Sequence, residues 1–160
     1  MPSKYPRNFN LKSPVQFLAL GFGSGLAPKA PGTFGTLAAI PLFLLCSFLP
    51  LSGYLVVTVL VSIVGITICG KAADELGVHD HPAIVWDEIA GYLITMILVP
   101  VSLTNIIIGF AFFRLFDIVK PWPISLLDKK VSGGLGIMVD DILAGVFALA
   151  ATHFTVSYLA

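Results

Sequence analysis

Five apolar stretches, each about 17 to 24 residues long, leave this chain few folds to choose from. They cover residues 33–49, 54–70, 83–101, 103–119 and 137–160. A helix that crosses a bilayer needs about 20 such residues. Inside lipid every backbone N–H and C=O must find its partner within the segment, so each stretch is expected to be helical. A sixth, shorter apolar run at 15–22 cannot span. It is expected to lie at the membrane interface or to pack on the bundle. The expectation is therefore all-α: a polytopic membrane helix bundle of about five spans with an N-terminal interfacial segment.

Composition supports that solvent. The chain is 57% hydrophobic and 11% charged over its 160 residues. Disorder requires the opposite balance. A soluble domain of about 150 residues buries only about 70% of its chain surface, too little to hide this much apolar area. The nine basic and nine acidic residues cancel, so no cationic surface is available for nucleic acid. Cys46 and Cys69 each sit within an apolar run and read as small packing residues. The first residues, MPSKYPRNFNLKSP, are polar and turn-rich, without the apolar core of a signal peptide. With no repeat, linker or low-complexity tract, residues 1–160 are expected to form a single domain.

The connections alternate. Pro50-Leu51-Ser52-Gly53 and the region 100–104 are tight and uncharged. The other connections hold nearly all the charge: Lys4, Arg7, Lys12 and Lys29, then Lys71 to His81, then Lys120 to Lys130. Basic connections stay cytoplasmic, which predicts an inside N-terminus and an outside C-terminus. That topology brings Asp87, Glu88, Asp117, Asp140 and Asp141 to one membrane face, each within about two turns of it. Five carboxylates at one depth repel unless cations lie among them. Adjacent acids on a helix point about 100° apart, so Asp87-Glu88 and Asp140-Asp141 can each offer one oxygen inward and one sideways. Carboxylate oxygens of this kind suit hard divalent cations such as Mg²⁺ together with phosphate. The same acids also suit helix N-termini through the macrodipole, so an isolated pair would decide nothing.

Arg114, Asp117 and Lys120 recur at i, i+3 and i+6 on one helical face. They read either as a structural ion pair or as two cations for phosphate beside a metal-holding acid. The glycine-rich segments 21–33 and 133–136 precede helix starts, where free N–H groups favour anions. Neither is a nucleotide loop. His79-Asp80-His81 lacks helical zinc spacing and reads as a solvated loop or a place for proton transfer. Phosphatase cysteine loops, D-x-D and G-x-S-x-G are all missing. What survives is metal-assisted chemistry on an anionic substrate at the inner membrane surface. Two other classes stand beside it, a small membrane transporter and a structural membrane subunit. A transport pathway needs polar residues at several depths, and the outer halves of the spans have almost none.

Several blocks in order carry a resemblance. They are Ala30-Pro31-Gly32-Thr33, Asp80-His81 with Ile84-Val85-Trp86-Asp87-Glu88 and Gly91, Phe113-Arg114 through Asp117 to Lys120-Pro121, and Gly133-Gly134 through Asp140-Asp141 to Gly145. Together they resemble the phosphatidylglycerophosphatase A family from about residue 21 to 145. The resemblance implies a Mg²⁺-dependent lipid phosphatase of the bacterial cytoplasmic membrane. Such an enzyme converts phosphatidylglycerophosphate to phosphatidylglycerol and inorganic phosphate. On that reading Asp87, Glu88, Asp117, Asp140 and Asp141 are catalytic and hold the metal, with Asp80 as a further metal ligand. Lys29, Thr33, Arg114 and Lys120 would bind phosphate, and His81 is available for proton transfer. The expected partners are a phospholipid substrate and the bilayer, with no sign of an obligate protein partner.

Overall fold

Glycine and proline punctuate a chain that is otherwise almost continuously helical. The computed structural model describes residues 8–159. Its α-helices are α1 (Pro14–Ala19), α2 (Pro31–Cys46), α3 (Leu51–Leu76), α4 (Trp86–Thr95), α5 (Leu103–Val119), α6 (Ile124–Lys130) and α7 (Gly133–Leu159). A 3-10 segment, Gly21–Leu26, joins α1 to the loop before α2. Among the described residues there is no strand, and the all-α expectation holds. Lys4, Arg7 and Ala160, used in the topology argument and the last span, lie outside the described residues.

α3 and α7 are long and apolar enough to cross a membrane. Their 26 and 27 residues correspond to about 40 Å each. Most of α3 faces outward, and its outward side is apolar: Val56, Val59, Leu60, Ile63 and Val64 are all exposed, Ile63 by 58%. Spacing of three and four residues puts them on one stripe. The opposite side of α3 carries Tyr54, whose hydroxyl donates to Leu93 O at 2.7 Å, and Thr58, which donates to Tyr54 O.

Several boundaries differ from the sequence expectation. α7 begins at Gly133, so the glycine segment 133–136 forms its first turn instead of preceding it. α3 continues past residue 70, so Lys71, Asp74 and Glu75 are helical rather than loop residues, and Gly77 ends the helix at φ 67°. A short helix, α6, forms within the last charged connection. The largest correction concerns 83–101. Only ten residues of it are helical, about 15 Å, and nine of the ten are buried. After Thr95 the chain turns through Leu98 at φ 58°, with Val99 N–H donating to Met96 O, and meets Pro100. Thus α4 is a central helix enclosed by its neighbours. Its apolar length resembled a lipid-facing span because periodicity cannot distinguish burial in protein from burial in lipid.

Small residues let these helices approach closely. A Cβ on Gly145 would lie 2.5 Å from Gly91 O, and one on Gly91 would lie 2.7 Å from Asp141 O. α4 and α7 therefore touch backbone to backbone beside Asp141. Phe43, Tyr92 and Phe113 pack edge-on between α2, α4 and α5, all essentially sealed from solvent. The segment 15–22 folds as α1 and the 3-10 turn and packs on the bundle. Val85 N–H donates to Ala19 O at 2.8 Å, and buried Gln16 donates to Glu75 at 2.7 Å. Phe17 and Phe22 face outward.

Helix direction decides where charge collects. α2, α4 and α7 begin at the same end of the bundle where α3 and α5 finish. Short uncharged turns close the other end. All nine acidic residues and every described Lys and Arg lie at or near the first end.

Candidate active site

The first turn of α4 supplies Asp87 and Glu88, the last two turns of α5 supply Arg114 and Asp117, and the second and third turns of α7 supply Asp140 and Asp141. With Lys120 and Asp80 they line one cleft of about 360 Å³ at the charged end, together with Ala30, Pro31, Gly32, Pro82 and Ile84. The acids distant in sequence thus converge. Oxygen atoms of Asp87, Glu88 and Asp141 all lie within 4.8 Å of one another, close enough to share one metal ion.

The electrostatics are lopsided. Six carboxylates and two basic side chains line the cleft, a formal excess of four negative charges. Arg114 pairs with Asp117 and lies 3.8 Å from Glu88 Oε1. Lys120 Nζ sits 2.5 Å from Asp140 Oδ2 and 2.8 Å from Asp128 Oδ1. Four acidic oxygens remain buried without a hydrogen-bond partner: Asp87 Oδ1, Glu88 Oε2, Asp140 Oδ1 and Asp141 Oδ2. Buried ionised oxygens left bare cost several kcal/mol each as an order of magnitude. A hard divalent cation satisfies them, so the donor set fits Mg²⁺.

At the rim, desolvation raises the Asp80 carboxyl above its ordinary range, with Lys120 pulling the other way. For Lys120, burial works against the charged form. Its bonds to Asp128 and Asp140 outweigh that and hold the ammonium well above the usual lysine range.

Gly32 explains the start of α2. A Cβ there would fall 2.3 Å from Glu88 Oε1 and 3.1 Å from both terminal nitrogens of Arg114. Only glycine lets the α2 N-terminus press onto that ion pair. The sequence marked the glycine segment, but not this contact. Lys29 is exposed next to the rim residue Ala30, and Thr33 is half-buried one position beyond Gly32; neither lines the cleft. His81 is buried behind the cleft, where its Nδ1 accepts the Ala83 N–H and its ring packs against Phe9. His79 Nε2 accepts from Gly133 N–H, tying the 77–85 loop to the start of α7. Asp128, treated in the sequence as one more loop charge, proves to be a partner of Lys120. Its register on α6 was invisible without that helix.

The chain is similar to known proteins over most of its length. Residues 17–156 match the family described as Phosphatidylglycerophosphatase A. A protein of that name from Escherichia coli is 46% identical over 145 residues, covering 90% of this chain and 84% of the relative. Another from Haemophilus influenzae is 43% identical, covering 95% and 94%. A protein of Bacteroides thetaiotaomicron named "Putative phosphatidylinositol-3-phosphatase" is 38% identical over 82% of this chain and 86% of its own length. No solved structure matches the chain.

Proposed function

The chain belongs to the phosphatidylglycerophosphatase A family, and from that premise we propose that its acidic cleft removes the terminal phosphate of phosphatidylglycerophosphate, using Mg²⁺, at the cytoplasmic face of a bacterial membrane. The observation that carries this reading is the meeting of Asp87, Glu88 and Asp141 oxygens within 4.8 Å, with bare buried oxygens beside them. A site with four excess negative charges would repel a phosphomonoester. One divalent cation halves that excess and two cancel it, which admits the substrate.

Asp87, Glu88 and Asp141 would hold the metal, joined by Asp140 and Asp117, with Asp80 at the rim. Bound Mg²⁺ supplies polarisation of the phosphoryl group and a water of lowered pKa. The protein's own part is placement and charge balance. Arg114, held by Asp117 and Glu88, presents donors to phosphate oxygens in a fixed fork. Lys120 offers a second cation from the C-terminal end of α5. The α2 N-terminus, brought in by Gly32, adds the positive end of its helix dipole to the same space, although Pro31 has no N–H and the Thr33 and Phe34 amides donate to Ala30 O. Lys29 and Thr33 stand close enough to the rim to meet the glycerol side of a headgroup. Proton transfer by His81 would need an intervening group, since it does not line the cleft.

The membrane reading extends from the same end-to-end contrast. We place α2, α3, α5 and α7 across the bilayer, with α4 enclosed among them and the charged end inside. Support comes from the outward apolar residues of α3 and from the basic residues gathered at the cleft end. The α2 and α5 helices, at about 24 and 25 Å, fall a little short of the hydrocarbon thickness and require local thinning or flanking turns.

Phosphate release from phosphatidylglycerophosphate by the detergent-solubilised chain tests the reading. Release that requires Mg²⁺ and stops with a chelator supports it, and no Mg²⁺-dependent release overturns it. Phosphatidylinositol 3-phosphate belongs in the same assay, because one relative bears that name. Faster release from that lipid would reassign the headgroup.

A further inference from the structure

Among the described residues, Lys120 is the one cleft-lining cation placed between an acid inside the cleft and an acid outside it. Asp140 approaches it at 2.5 Å and is 7% exposed, while Asp128 approaches at 2.8 Å and is 35% exposed. No α6 residue lines the cleft, Asp128 included. Yet α6 is fixed in place, with Ile124 fully buried and Val131 N–H closing onto Leu127 O at 3.0 Å. Lys120 itself occupies the left-handed region at φ 45°. A lysine persists in that conformation only where surrounding structure holds it. Its N–H closes the end of α5 onto Phe116 O at 2.9 Å.

We propose that Asp128 is a positioning residue that shares the Lys120 ammonium with Asp140, loosens its hold on that acid and so leaves Asp140 able to take a cation. This rests on the cation reading of the cleft. Asp140 Oδ2 faces the ammonium and its Oδ1 is bare. A divalent ion approaching Asp140 competes directly with Lys120. Asp128 competes with Asp140 for the same ammonium from the solvent side. Without Asp128, the ammonium belongs wholly to Asp140 and the divalent ion faces a closed ion pair. Without Lys120, Asp140 is open and its negative charge uncompensated. Removing either end of one ion pair should therefore change metal affinity in opposite directions. An ion pair that merely braces α6 would give both variants the same sign.

The test is calorimetric titration of Mn²⁺ alone into the detergent-solubilised full chain. Asp128→Asn should weaken binding about three- to tenfold, and Lys120→Met should tighten it by a similar factor. The double variant should match Lys120→Met, because Asp128 acts only through the lysine, and Asp128→Glu should restore wild-type affinity. Asp128→Asn without effect, or both single variants shifting the same way, overturns the proposal. If Asp128→Asn is not recovered folded, Lys120→Met still decides, since unchanged or weaker binding overturns it. A wild-type chain that binds no Mn²⁺ sinks the cation reading as well. Wild-type binding with an indifferent Asp128 sinks only the positioning role.

Discussion

Asp141 stands against Asp117 and Asp87 with one oxygen bare, and among the described residues no basic side chain pairs with it. Its charge is therefore a burden to the metal-free fold and an asset once a cation arrives. Asp141→Asn should stabilise the metal-free chain by about 1 kcal/mol of relieved repulsion, seen as a higher melting temperature, and should abolish Mg²⁺-dependent stabilisation and turnover together. Thermal melts with and without Mg²⁺ check both halves, and an unchanged Mg²⁺ shift would count against the ligand role. Gly32→Ala isolates geometry from charge. The added methyl must displace Glu88 or Arg114, so turnover should fall at least about tenfold while overall stability stays within about 1 kcal/mol. Steady-state rates and melting on the same preparation measure it. At this scale the sequence was partly legible. Adjacent acids such as Asp87-Glu88 announce themselves, and the helix register of Arg114, Asp117 and Lys120 was readable from spacing. The Gly32 contact and the Asp128 pairing were not, because each depends on where a different helix arrives.

α4 shows how an element can be misread from an accurate pattern. Residues 83–101 are as apolar as a true span, but the chain spends ten of them on a buried helix and the rest on turns. Apolar content reports that a segment avoids water, and protein neighbours satisfy that as well as lipid does. The hints were local: acids in the first turn and Pro100 close behind the last. By contrast α5 coincides with its apolar stretch, and α3 and α7 extend theirs, since a helix with one lipid-like face needs no protein enclosure. The tight element is the α4–α7 crossing. Gly145→Leu would force a side chain into Gly91 O and part the two helices that carry Asp87 and Asp141. A loss of roughly 2 to 4 kcal/mol is expected, with activity lost even below the melting transition. Denaturation followed by tryptophan fluorescence is apt, because Trp86 sits at the start of α4 and donates to Val61 O on α3. A variant as stable and active as wild type would show that the crossing does not set the site.

For the molecule as a whole, one asymmetry organises everything: charge at one end, bare turns at the other. It was readable from the alternating loops, and the fold preserves it. It also yields a sidedness prediction. In a chain freed of Cys46 and Cys69, a cysteine replacing Lys29 should react with impermeant maleimide only from the cytoplasmic side. One replacing exposed Ser52 should react only from the other. Labelling of both from one side would remove the multi-pass arrangement. How the acids close on one another was not readable, because the buried path of α4 between α2 and α7 sets it. That convergence is the central claim, and anomalous scattering from Mn²⁺-soaked crystals tests it most directly. The account predicts a peak about 2.1 Å from oxygens of Asp87, Glu88 and Asp141. A peak elsewhere, or an empty cleft whose carboxyls share protons in place of a cation, would contradict it.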